Sequence, residues 1–292
     1  MKICCFGSLN LDYVYRVSEF VQSGETIRAK ERTVVCGGKG LNQSVALARS
    51  GVEVYHAGNV GVMDGQMLIS TLQANNVCTD LISSQNYASG HAIIQVNDNG
   101  ENSILLYGGA NLTVTERQIE HVLSHFTEGD FLVLQNEVNM LPTIIEKAYE
   151  KGMLIVLNPS PVEAIADTLS LDKVGYLFMN SIEALEIGGG DDVNVAIRNI
   201  QTRYPKTVII CTFGAEGATV YKKETILHEP AMKVQAVDTT GAGDTFLGFY
   251  VGLLASGNDD QTCLKAAIKA AGLCVQKQGA SISIPTHDQV IS

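Results

Sequence analysis

Asp238-Thr239-Thr240-Gly241-Ala242-Gly243-Asp244-Thr245-Phe246, late in a 292-residue chain, is the stretch from which the rest of the reading follows. It puts a Gly-Ala-Gly turn at the start of a segment with helical, largely apolar character running over 241–255. N–H groups at a helix amino terminus lack intrahelical partners, and the missing side chains of Gly241 and Gly243 let an anion approach them closely. The turn therefore reads as a phosphate cradle. Asp244 at its rim is a poor static ligand for a phosphate, because like charges repel, and suits a base that accepts a hydroxyl proton. A glycine turn that only caps a helix is the plain alternative; the acid at 244 and the Asp238-Thr239-Thr240 lead-in make the string more specific than that.

Two common phosphate motifs are absent. The residue three after Gly243 is Phe246, which breaks the Gly-x-Gly-x-x-Gly of dinucleotide folds, and Thr33, five before Gly38, breaks the P-loop frame. A second cluster, Gly37-Gly38-Lys39-Gly40-Leu41-Asn42-Gln43, opens another helical segment and carries a Lys and an Asn, donors suited to hydroxyls or to developing phosphate charge.

Outward from these clusters, short apolar runs over 2–7, 52–57, 130–134, 153–157, 176–179 and 207–212 alternate with helix-period segments over 39–50, 65–75, 115–126, 141–151 and 194–204. That alternation predicts an α/β fold, a parallel sheet with helices on its faces. Two regions depart from it. Residues 12–36, and 91–107 with its Asn97-Asp98-Asn99-Gly100 turn, have strand character and predict a small separate sheet, the second of them a hairpin. The chain ends in helical segments over 241–255 and 259–276 without a linker or repeat, so one domain over 1–292 carrying a β lid is expected.

Composition narrows the chemistry. Twenty Lys and Arg against 31 Asp and Glu give a net charge of −11, which disfavours nucleic acid or an anionic membrane as the main partner. Seven scattered cysteines without a Cys-x-x-Cys pair read as reduced, buried thiols, and the apolar stretches are too short for a signal peptide or membrane span, so a cytoplasmic protein is expected. His121 and His125 share a helix face, but no metal motif surrounds them.

Together the two glycine clusters resemble the signatures of the ribokinase family of carbohydrate kinases. The resemblance extends through Gly7-Ser8-Leu9-Asn10-Leu11-Asp12, Gly24-Glu25-Thr26, Gly108-Gly109-Ala110-Asn111 and the stretch 279–285. It implies a three-layer α/β/α domain with a β-sheet lid that doubles as a homodimer interface, and phosphorylation of a sugar or nucleoside hydroxyl from ATP with Mg²⁺. By resemblance, Asn10, Leu11, Asp12, Gly38, Lys39, Gly40, Leu41, Asn42 and Glu137 build the sugar site, with Asp244 reaching the phosphorylated hydroxyl. Asn180-Ser181-Ile182-Glu183 matches a motif acting near Mg²⁺. The loop Thr212-Phe213-Gly214-Ala215-Glu216-Gly217 matches the nucleotide loop, and Gly241, Ala242, Gly243 and Asp244 hold the transferred phosphate. A K⁺ site is implied at Asp238, Thr240, Cys274, Lys277, Gly279 and Ser283, mostly through main-chain oxygens. Two positions depart from the pattern: Ile268 stands where Asn or His often meets adenine, and Leu41, where Ala is common, is expected to add bulk beside the sugar.

The expected reaction is in-line transfer of the γ-phosphoryl group of ATP to a primary hydroxyl, with Asp244 as base and the N–H groups of 241–244, Lys39 and Mg²⁺ stabilising the transition state. The 5-hydroxyl of D-ribose is the first acceptor expected. Deoxyribose, fructose or tagatose, and a nucleoside such as pseudouridine are the rivals, and a silent sugar or nucleotide sensor is the non-enzymatic alternative. Asn10 speaks against deoxyribose, since an apolar residue would suit the missing hydroxyl.

Overall fold

The computed structural model describes residues 1–162, 169–223 and 225–292. Among them the main sheet has nine strands in the order β13 (Thr225–Glu229), β12 (Ala218–Lys222), β11 (Val208–Thr212), β10 (Tyr176–Asn180), β9 (Leu154–Asn158), β8 (Phe131–Gln135), β1 (Ile3–Phe6), β4 (Val54–Gly61) and β5 (Cys78–Gln85). From β11 to β5 the neighbours are parallel; β12 and β13 add an antiparallel edge.

The strands are short apolar runs because both faces are buried, and alternate residues serve opposite cores. Ile3 and Cys5 join one cluster, while Cys4 and Phe6 join the other. The first cluster is roofed by α1 (Lys39–Arg49), α7 (Ala242–Ala255) and α8 (Asp260–Cys274). The second is roofed by α3 (Glu116–Leu123), α4 (Leu141–Glu150), α5 (Ser181–Gly188) and α6 (Val193–Arg203). Three layers result. Two short helices, α2 (Gln66–Ala74) and α9 (His287–Ile291), complete the described set.

The two strand-like regions read from the sequence contribute four strands to a separate sheet, ordered β3 (Glu31–Gly37), β2 (Asn10–Arg16), β6 (Gly90–Val96) and β7 (Asn102–Tyr107). β6 and β7 pair antiparallel, as the Asn97–Gly100 turn predicts. Three main-sheet strands lack the expected signal. β5 is a polar edge strand of sequence CTDLISSQ, and β12 with β13 extends the sheet past the last apolar run.

Two features of this architecture position the site. In the strand order, β1 lies between β4 and β8, where the winding of the sheet reverses; a crevice opens there at the carboxyl ends of the strands. The approach of α7 to α1 is set by glycine: a Cβ at Gly248 would lie 2.3 Å from Cβ of Ala46. Two helix amino termini thus meet above that crevice.

Candidate active site

The turn after β1 and the start of α1 are knitted together by the main chain. Leu41 N–H donates to the Ser8 carbonyl at 3.0 Å and Gly40 N–H to Ser8 Oγ at 3.2 Å. Such an approach requires glycine at 40, where a Cβ would stand 2.5 Å from Ser8 N. Glu137, just past β8, closes the switch point from the other side. Its Oε2 accepts from the Ser8 hydroxyl and, at 3.1 Å, from the Lys39 N–H.

The polar residues read from the sequence converge on this point. Asn10 Oδ1 accepts from Asn111 Nδ2 at 2.7 Å, and Asn111 Oδ1 accepts from Leu9 N–H at 3.0 Å, fixing the start of β2. Asp12, two residues on, is pushed up to about 6 by burial and by the neighbouring charge of Glu137. Lys39 is shifted in the opposite sense to its burial: burial disfavours the ammonium, but Asp244, Glu137 and Glu183 outweigh it and hold the amine above its ordinary value. Asn42 donates from Nδ2 to Asp244 Oδ2 at 3.0 Å, while its Oδ1 is buried without a partner among the described residues. A buried acceptor without a donor costs about 1–3 kcal/mol, so this oxygen has accepting capacity that the protein leaves unused.

Asp244 is the third residue of α7. Gly241, at φ +76°, turns the chain into the helix. Of the N–H groups that the sequence reading places in an anion cradle, that of Ala242 already donates to Thr239 O at 3.2 Å. The N–H groups of Gly243 and Asp244 have no acceptor among the described residues. They are the free donors of this turn.

Beside it lies a cleft of about 330 Å³ that brings together Lys39, Asn180, Glu183, Thr212, Gly214, Gly241, Gly243 and Asp244. Asn180 and Glu183 also form a capping box at the start of α5. Asn180 Oδ1 accepts from the N–H groups of Ile182 and Glu183, both at 2.9 Å, and Glu183 Oε2 accepts from Asn180 N–H at 2.9 Å. One carboxylate oxygen of Glu183 therefore remains for the cleft. Gly214, at φ +58°, turns the chain away from Thr212, and Phe213 N–H closes the loop onto Gly217 O at 2.8 Å. Ala215 and Glu216 are exposed on that loop.

The segments around Asp238 and Gly279 are tied by side-chain bonds. Asp238 Oδ1 accepts from Thr240 N–H at 2.9 Å and from its hydroxyl at 2.6 Å, and Oδ2 accepts from Gly279 N–H at 2.9 Å. Burial works against the Asp238 charge, but these donors outweigh it and hold the carboxyl below its usual range. The main-chain oxygens of Asp238, Thr240, Lys277 and Gly279 accept no hydrogen bond among the described residues. Cys274 and Ser283 bond to each other, Sγ to Oγ at 3.0 Å.

Residues 1–287 match the family described as pfkB family carbohydrate kinase. The chain belongs to that family. Ribokinase from Staphylococcus aureus (strain COL) is 35% identical over 99% of this chain and 98% of that protein. Ribokinase from Cryptococcus neoformans var. grubii serotype A, solved in complex with ADP, superposes with a TM-score of 0.86 at 31% identity, over 99% of this chain and 98% of that one. Arabidopsis thaliana ribokinase, solved with ribose and ATP, does so with a TM-score of 0.88 at 25% identity, over 99% and 97%.

In this pfkB-family carbohydrate kinase, three further side chains stand apart from the expected site, those of Leu41, Leu11 and Ile268. Leu41 is wholly buried in the core, with no surface open beside the sugar residues, because it follows the Gly40 approach and faces the sheet. Leu11 is buried in the same way. Ile268, midway along α8, packs partly buried against the core and does not line the cleft. Sequence reasoning also passed over Ser8, Asn111, Gln43, Gln135 and Asn158. Gln43 Nε2 donates to Asp244 Oδ1 at 2.9 Å and lies 3.3 Å from Asn158 Oδ1. For Ser8, Gln43 and Asn111 the signal was their place inside the Gly7–Asp12 string, the Gly37–Gln43 cluster and the Gly108–Asn111 string.

Proposed function

We propose that this chain transfers the γ-phosphoryl group of ATP to the 5-hydroxyl of D-ribose. The observation that carries the reading is the position of Asp244, held by Asn42 from the sugar side and adjoining the unpaired N–H groups of Gly243 and its own main chain. A hydroxyl placed against this carboxylate loses its proton as it attacks, and the free N–H groups meet the charge that spreads over the transferred phosphoryl oxygens. Asn10, Asp12, Lys39, Asn42 and Glu137 provide the matched donors and acceptors for a polyol. The relatives named ribokinase, and the ribose and ATP bound by the Arabidopsis protein, support this acceptor and this donor. Cleft residues from Asn180 to Gly214 are the nucleotide side of the reading.

Among the described residues no cluster of three acidic, His or Cys ligands could hold a metal ion by itself. Glu183, with one carboxylate oxygen facing the cleft, would be an outer partner of a hydrated Mg²⁺ on the ATP phosphates, which would supply charge neutralisation there. The unengaged main-chain oxygens of Asp238, Thr240, Lys277 and Gly279 suit a large monovalent cation such as K⁺, which they would hold and which would supply positive charge near the turn.

A coupled assay of ATP consumption with pentoses, hexoses and nucleosides, each with and without K⁺, tests the reading. Ribose as the preferred acceptor supports it; a nucleoside or 2-deoxyribose turned over while ribose is inert overturns the acceptor, and no ATP consumption with any of them favours a sensor.

Asp12 gives this function a pH dependence. Its value of about 6 lies above the 3.8 of an unperturbed Asp, so it takes up a proton in the folded protein as pH falls through about 6 and loses an acceptor for sugar hydroxyls. KM for ribose is expected to rise below that pH. Asp12→Asn should raise KM at pH 7.5 and flatten its pH dependence. The stability sign is the reverse. The folded state binds the extra proton between 3.8 and about 6, so the Asp12 contribution to stability falls as pH rises through that window. Asp12→Asn is therefore expected to raise the thermal midpoint at pH 7.5 while weakening sugar binding.

The small sheet supports closure over the sugar and a homodimer. By register, Val14, Val35, Ile94, Ile104 and Leu106 share a face with Asp12. Val35, Ile104 and Leu106 are exposed there at 43%, 53% and 62%. A contiguous apolar face beside a site suits a second copy of the chain. Light scattering should find a dimer that Ile104→Asp with Leu106→Asp converts to monomer.

A further inference from the structure

Behind the base lies a buried amide pair that sugar and nucleotide binding do not explain. Gln43 and Gln135 are both fully buried, at 0% exposure. Gln43 Nε2 donates to Asp244 Oδ1 at 2.9 Å, and Gln43 Oε1 accepts from Gln135 Nε2 at 2.7 Å. The polarity of the chain is forced from one end. An ionised carboxylate only accepts, so Gln43 must turn its NH₂ to Asp244; its oxygen then faces Gln135, which must turn its own NH₂ to Gln43. This leaves Gln135 Oε1 buried without a partner among the described residues. In a fold built for stability alone that arrangement is unfavourable, because an apolar residue of the same volume would remove the unpaired oxygen.

From this geometry we infer that Gln43, braced by Gln135, is a positioning residue for the base: with Asn42 on Oδ2 it fixes the carboxylate plane of Asp244. Each Asp244 oxygen accepts one amide bond, and the lone pairs that remain point in one set of directions. Without Gln43 the carboxylate keeps only the Asn42 bond and rotates about χ2, so the lone pair facing the acceptor hydroxyl is populated only part of the time. Gln135 acts one step further back by denying Gln43 the flipped orientation, in which its oxygen would face the carboxylate. No sugar or phosphate contact is assigned to either residue. The inference rests on the carbohydrate-kinase reading with Asp244 as base.

Gln43→Met and Gln135→Met, alone and together, keep the packed volume and remove the amides. The expected result is a kcat lower by about 10- to 100-fold for Gln43→Met and for the pair, with KM for ribose and ATP within about threefold of wild type. For the pair, the thermal midpoint should stay equal to or above wild type, since the unpaired Gln135 oxygen is gone; a merely structural role would lower it. A kcat within about twofold of wild type overturns the inference, as does a fall in kcat matched by an equal rise in KM and a lower midpoint. If the pair does not fold, Gln135→Met alone decides. A kcat unchanged there rules out the brace. Wild type and Asp244→Asn are run alongside: an inactive wild type refutes the kinase reading, whereas an active wild type, an inactive Asp244→Asn and fully active Met variants refute only this inference.

Discussion

Asp244→Asn is expected to lower kcat by about 10²- to 10⁴-fold, the range over which a positioned general base acts. The substitution preserves shape and removes two things. It removes the proton acceptor, and it replaces one of two acceptor oxygens with a donor. Asn42 Nδ2 and Gln43 Nε2 both donate into this side chain, at 3.0 and 2.9 Å, so an amide at 244 can satisfy only one of them. The other becomes an unpaired buried donor, at a cost of about 1–3 kcal/mol. Sugar binding should therefore be weakened modestly while turnover is lost, because most sugar partners, including Asn10, Asp12 and Glu137, lie on other elements. Calorimetric titration with ribose beside the coupled assay separates the two effects. Near-normal turnover would remove Asp244 from the role of base.

Gly243→Val is expected to leave the fold intact and abolish phosphoryl transfer. A Cβ at 243 meets no atom within 4 Å, and the residue is not among the glycines at positive φ, so a side chain there is accommodated without strain. The open space is nonetheless the space the reaction needs. Gly243 lines the cleft, and its N–H, with that of Asp244, is unpaired. Branched methyl groups would stand where the transferred phosphoryl group approaches these donors. Losing even one such donor typically costs about 10²–10³ in kcat. The thermal midpoint should stay within about 3 °C of wild type, the shift that about 1 kcal/mol produces in a chain of this size. Gly40→Val provides the contrast: a Cβ there stands 2.5 Å from Ser8 N, so that change should unfold the site rather than fill it. A Gly243→Val protein that turns over normally would mean the phosphate sits elsewhere.

Net charge agrees with this site once the donors are known. A chain at −11 that uses ATP needs local groups to meet the phosphates, and on the proposed reading these are main-chain N–H groups at a helix start and Lys39. Lys39 stays charged despite its burial because three carboxylates surround it.

Several levels were legible in the residues alone. The apolar runs and their spacing determined a parallel sheet with helices on both faces, since a strand buried on two faces must be apolar throughout. Gly241, Gly243 and Asp244 made the proposed phosphate turn and base readable as candidates, because they lie within four consecutive positions, and the structure does place them at a helix start. Residues 12–36 and 91–107 determined the second sheet, though not its order. Only the tertiary structure decided the remainder. Ser8 meets Glu137 across 129 positions, Asn10 meets Asn111 across 101, and Gln43 meets Asp244 across 201. Amide and hydroxyl side chains have no periodic signature, and a buried Gln in a helix reads like any solvated one until its partner is known. Leu41 and Ile268 show the converse. Leu41 sits among candidate site residues and Ile268 at a position expected to meet adenine, but helix phase buries Leu41 in the core and packs Ile268 partly buried against it. Parallel winding places the ends of distant strands side by side at the β1–β8 switch point, and there proximity in space, rather than in sequence, decides which polar atoms must satisfy one another.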